Sequence, residues 1–227
     1  MTPSASGSAV PTPTPPAFSN GGDCPASSDP ALPSDAGCVT SVTVGEEQLS
    51  VYALLNRASR PRSWHLHLRS GEREIDQRLH AGNDFSYPRA IGGSDVDLDG
   101  VGEWWVKVVD YTSHGAPWSG LNLFIRQGSG LVALSFEGHP LAINFGGISR
   151  LGEGAACRDG DLVLLRAEAI DRRNTQWTIS ERTFEVRGSR AHLLERRQYV
   201  LVIEDYNDPL LDPYFRVDCQ GVTFTPF

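Results

Sequence analysis

Trp64-His65-Leu66-His67-Leu68 puts Trp64, Leu66 and Leu68 on one side of an extended backbone and both histidines on the other. Strict alternation of this kind marks a β-strand, in which successive side chains point to opposite faces. Working outward, a hairpin over 64–79 turns at Ser70-Gly71, and a strand over 49–55 precedes it. The unit recurs as a strand over 103–109 before a hairpin over 121–136, turning at Gly128-Ser129-Gly130. It recurs again as a strand over 161–170 before a hairpin over 177–195, turning at Gly188-Ser189. The leading strands begin 54 and 58 residues apart, a period near 56. Amphipathic helical patterns are absent. An all-β chain follows, with three propeller-blade-like repeats over about 40–90, 91–150 and 151–205. Three units fall short of the roughly four to eight blades of a closed propeller, so an incomplete or open propeller is expected.

The flanks differ from this body. The first seventeen residues carry five prolines and no charge. Such a stretch cannot bury enough apolar surface to offset its ordering entropy. Residues 1–22 therefore read as a disordered Pro/Thr/Ser spacer, and 23–227 as the β-repeat domain ending in a disulfide-tied segment. The spacer lacks the basic start and apolar stretch of a signal peptide. A spacer of this kind before a cysteine-containing domain is what a trimmed export signal leaves, and it leaves room for a lipid tether upstream.

Four cysteines support export. Cys24 and Cys38 bracket 13 residues, while Cys157 and Cys219 lie far along the chain, and no C-x-x-C spacing suggests zinc or redox chemistry. Two structural disulfides, Cys24–Cys38 and Cys157–Cys219, are expected, in an oxidising compartment. No apolar run reaches 18 residues, so no transmembrane helix is expected. A net charge of −8 on 227 residues disfavours nucleic acid, which needs a basic face.

The strongest chemical motif is Asp95-Val96-Asp97-Leu98-Asp99-Gly100-Val101-Gly102-Glu103, which reads D-x-D-x-D-G-x-x-E. Calcium takes six to eight oxygen ligands at about 2.3–2.6 Å. Asp95, Asp97 and Asp99 can converge on one ion, Val101 can offer its carbonyl, and Glu103 can close the shell. An EF-hand is excluded because Val106 stands where that loop needs an acid.

On these residues the chain resembles FG-GAP (VCBS-type) repeats, whose calcium loop D-x-[DN]-x-D-G-x-x-[DE] is followed by a strand. It is also similar to secreted, lipoprotein-like FG-GAP proteins of actinobacteria. The resemblance spans about 40–205, with the complete motif only in the middle unit. The first unit (41–48) has no aspartates, and the third keeps only Cys157-Arg158-Asp159-Gly160-Asp161, so one Ca²⁺ is expected. The family implies a propeller-type repeat, extracellular or anchored at the cell surface, that adheres or binds ligand without implying a reaction.

Other residues carry less. His65 and His67 share a strand face, read as a solvent-side surface pair. The stretch 113–120 reads as a loop whose Trp118 could stack on a sugar or anchor a partner. Trp64, Trp104, Trp105 and Trp177 fall in strand patterns, and one of the adjacent pair Trp104/Trp105 is expected to be partly exposed. The acidic run 204–214 reads as a long loop tied back by Cys219. No H-E-x-x-H or G-x-S-x-G motif occurs. The sequence thus points to an exported, calcium-stabilised module recognising a cell-wall, glycan or protein ligand. The alternative is a secreted metal-dependent hydrolase.

Overall fold

The structure, a computed structural model, describes residues 24–79, 87–113, 116–146, 150–205, 207–220 and 222–224. The 1–22 spacer lies outside them. The chain is all-β, arranged as three sheets.

The first sheet is a meander of β1 (Ala36–Val44), β2 (Glu47–Leu55), β3 (Pro61–Ser70) and β4 (Arg73–Leu79). The second is built on β5 (Arg89–Ser94), β6 (Glu103–Ser113), β7 (Ala116–Gln127) and β8 (Gly130–Ala133). Two-residue strands β9 (Ser135–Phe136) and β10 (His139–Pro140) follow. Then β11 (Ala142–Gly146) returns to pair with the first half of β7. The third sheet is the meander β12 (Leu151–Arg158), β13 (Asp161–Ala169), β14 (Gln176–Arg187) and β15 (Arg190–Val202). It is extended beyond β12 by β16 (Val217–Cys219) and β17 (Val222–Phe224), and touched at Arg190 by β9.

Each expected strand-plus-hairpin unit is present, and each carries one strand more than the alternation reveals. The extra strands, β1, β5 and β12, all open their units. They are rich in small residues because other chain segments press on them. A Cβ on Gly92 of β5 would lie 2.6 Å from Val222, and one on Gly154 of β12 would lie 2.2 Å from the Pro213 carbonyl oxygen. Strands built for close approach lose the large alternating residues by which strands are recognised. The closing hairpin of every unit turns on a two-residue loop led by a left-handed glycine: Gly71, Gly128 or Gly188, at φ 58°, 61° and 54°. Turns of this hand match the twist of the flanking strands.

The second sheet lies between the other two. Trp104 packs with Leu49, Leu66, Phe124 and Leu131 on the side of the first sheet. Trp105 packs with Leu121, Leu123, Leu162 and Phe184 on the side of the third. Both tryptophans are therefore fully buried, and the expected partial exposure of one is corrected: β6 is covered on both faces, so neither direction leads to water. Trp105 also donates its indole N–H to Ser94 Oγ at 2.9 Å. A third cluster, around Trp177, Ile179, Leu211 and Tyr214, covers the far face of the third sheet.

The run 204–214 is not an open loop. Pro209–Phe215 forms a 3-10 helix whose Asp208 side chain accepts the Leu210 N–H at 3.0 Å. Leu211 and Tyr214 turn inward, so this segment is part of the wall that closes the sheet.

Candidate metal loop and the neighbouring polar residues

Ser94 ends β5 opposite Glu103, the first residue of β6, and the eight residues between them form the acidic loop. Its backbone is wound by its own aspartates. Asp95 Oδ2 accepts the Gly100 N–H at 3.0 Å, Asp97 Oδ1 accepts that of Asp99 at 3.3 Å, and Asp99 Oδ1 accepts that of Val101 at 2.8 Å. Leu98 and Gly100 adopt left-handed φ values of 61° and 86°, which close the turn.

This winding leaves one carboxylate oxygen from each of Asp95, Asp97 and Asp99 within 4.8 Å of the others. Asp95 Oδ1 is buried and has no hydrogen-bond partner. A buried carboxylate oxygen without a donor is costly, and a cation between the three side chains would satisfy it. Hard, anionic oxygen donors suit Ca²⁺. Burial, then the charge of Asp99, raises the Asp97 carboxyl above its ordinary range. The three carboxylates thus fit a divalent cation; Val101, exposed near the loop's end, has only its backbone carbonyl to add.

Glu103 stands apart. It is 2% exposed, accepts the Val96 N–H through Oε2 at 2.6 Å, and lies outside the three-aspartate set. Burial first, and then the charges of Asp97, Asp99 and Asp95, push its carboxyl up to about 8. The turn between β12 and β13 abuts the same loop: a Cβ on Gly160 would lie 3.5 Å from Leu98 and 3.6 Å from the Asp97 carbonyl oxygen.

Three other sequence expectations are placed. Both disulfides form as paired, Cys24 with Cys38 and Cys157 with Cys219, at Cα separations of 5.0 and 4.7 Å. They suit an oxidising environment. Among the described residues no helix is long and apolar enough to cross a membrane. Trp118 is on a strand, not a loop: it belongs to β7, paired opposite Tyr111 of β6. The hairpin continues the ladder through residues that local composition assigns to a loop, and the Trp118 side chain lies outside the description.

The histidine pair needs correction too. His67 is 6% exposed, and both of its ring nitrogens lack a hydrogen bond. His65 Nδ1 lies 3.2 Å from Asp76 Oδ1, and its ring stacks on Tyr52 at 5.2 Å. Tyr52 donates to Asp76 Oδ2 at 2.5 Å, and burial together with that carboxylate raises its phenol above the usual range. Tyr52 also packs with Leu32 and Ala36, residues of the disulfide-closed N-terminal segment and the start of β1. Asp76 of β4 beside both rings, and Tyr52 of β2 packed against Leu32 and Ala36, thus flank a face that alternation within β3 alone assigns to solvent.

No protein-family model matches the chain, and no curated protein matches it.

Proposed function

We propose that this protein is an exported, calcium-stabilised β-repeat module of the FG-GAP (VCBS) kind, whose three sheets act as blade-like units of an open propeller. Its role is to bind a ligand or adhere at the cell surface. The observation that carries the calcium reading is the convergence of Asp95, Asp97 and Asp99 beside a buried Asp95 oxygen that has no donor. Further support comes from the position of the loop. It connects the first and second strands of its unit, where the other units carry only the two-residue turns Gly45-Glu46 and Asp159-Gly160. One unit is thus elaborated around an ion and the others are minimal.

The ion's contribution is structural. At about 1 mM free calcium and a dissociation constant of about 0.1–1 mM, binding stabilises the fold by roughly 0.4–1.4 kcal/mol. Calorimetric titration with CaCl₂ tests the reading: one site per chain is expected, lost in Asp97→Ala. Absence of heat and of any melting shift at 1 mM calcium would remove it.

A further inference from the structure

Two neighbouring cross-strand rows share one face of the third sheet. In the first, Glu153 opposes Arg166, Arg166 opposes Ser180, and Ser180 opposes Gln198. In the second, two residues along every strand, Ala155 opposes Leu164, Leu164 opposes Arg182, and Arg182 opposes Arg196. Ala142 and Ile143 of β11 and the residues of these rows, Ala155 apart, line a groove of about 300 Å³. That volume is at the small end of the range for small-molecule sites.

The charges in the groove are not balanced internally. Arg166 lies 3.4 Å from Glu153 and 3.3 Å from Glu168, so its charge is answered. Glu153 is further held by the Asn144 N–H at 2.8 Å. Arg182 and Arg196 make no hydrogen bond or ion pair among the described residues, although they stand directly opposite one another. Like charges paired across strands destabilise a sheet. Burial lowers the basicity of Arg182; Glu153 opposes this, while Arg196 and Arg166 push the same way. The guanidinium is held 5.8 Å over the Phe184 ring, itself fully buried, which limits its freedom to swing out to water.

We propose that this groove binds an acidic sugar, with a carboxylate or phosphate group on Arg182 and Arg196 and hydroxyl groups on Ser180, Gln198 and Glu153. Guanidinium forks match planar or tetrahedral oxyanions and form strong charge-assisted hydrogen bonds. The serine and glutamine can each donate and accept, and the Glu153 carboxylate accepts, which is the complement of a sugar's hydroxyls. A bare inorganic anion would touch the arginines alone, whereas a pyranose carrying the anion is large enough to reach the polar side chains of the neighbouring row as well. The inference deepens the ligand-binding role proposed above and is independent of the calcium loop.

Titration calorimetry of the full chain at low salt, with glucuronate, glucose 6-phosphate, glucose and inorganic phosphate, tests it. Both acidic sugars are expected to bind at least about tenfold more tightly than glucose or phosphate. Arg196→Gln, an exposed edge-strand change that spares the fold, should weaken them about tenfold. Arg182→Gln should do so at least as strongly, with its melting temperature followed in parallel. Arg187→Gln, in an arginine paired outward with Glu185, should change nothing. Failure of either acidic sugar to bind, equal affinity for glucose or for phosphate, or an unaffected Arg196→Gln would overturn the proposal. None of these results would alter the calcium titration, so the two readings fail separately.

Discussion

Glu103 is shut away from water at the start of β6, with three more carboxyl groups in the loop it closes. Its carboxyl titrates near 8 in the fold, against 4.5 for the ordinary group. The folded state therefore holds a proton through that interval which the unfolded chain has released. The resulting stability is fully present below about 4.5 and is lost as the pH rises through about 8. Urea midpoints measured in EDTA should fall from pH 5 to pH 8.5, and Glu103→Gln should flatten that fall. A midpoint that rises with pH over this range in the wild type would contradict the assignment. Asp95, Asp97 and Asp99 were legible in the sequence as a converging set, because their spacing is local. The partnership of Glu103 with the Val96 N–H was not, since position nine of the motif can equally face the ion or the backbone.

At the scale of elements, the alternating strands were readable and the glycine-rich ones were not. β3 announces itself by large residues at every second position, and β6 and β13 by runs of large apolar residues. Arg89–Ser94 and Leu151–Arg158 hide because they sit where neighbouring chain leaves no room for a side chain. Gly154 measures how tight this is: a Cβ there would meet the backbone oxygens of Pro213 and Arg216 at 2.2 and 2.7 Å. Gly154→Ala should destabilise by about 3 kcal/mol, the high end for overpacking against backbone. Gly128→Ala, in open space at φ 61°, should cost only about 1 kcal/mol from its left-handed backbone. Equal denaturant midpoints for the two variants would show that the close approach is not as drawn. The surroundings of His65 and His67 were equally hidden, because neighbouring strands set them: Asp76 of β4 lies beside both rings, and Tyr52 of β2 stacks on His65.

Across the whole molecule, a central sheet carries tryptophans on both faces, and each of the two outer sheets holds one disulfide. Cys157–Cys219 spans 62 residues and ties the segment after the 3-10 helix to β12. Replacing both cysteines by alanine should cost about 4 kcal/mol by the chain-entropy argument, read as a lower urea midpoint. The three strand-plus-hairpin units were visible in the spacing of leading strands and turn glycines. The burial of the middle unit between the others was not, since a repeat pattern says which units exist and not which is flanked. The net charge of −8 belongs to the whole chain too, and the Arg182/Arg196 groove is a local exception that only the strand register reveals. Calcium stabilisation of the module, as proposed, is checked by thermal melting with 1 mM CaCl₂ and with EDTA, for wild type and Asp97→Ala. A calcium-dependent rise of about 1–5 °C is expected in the wild type and none in the variant; identical melting temperatures for the wild type in calcium and in EDTA would show that no ion stabilises the loop.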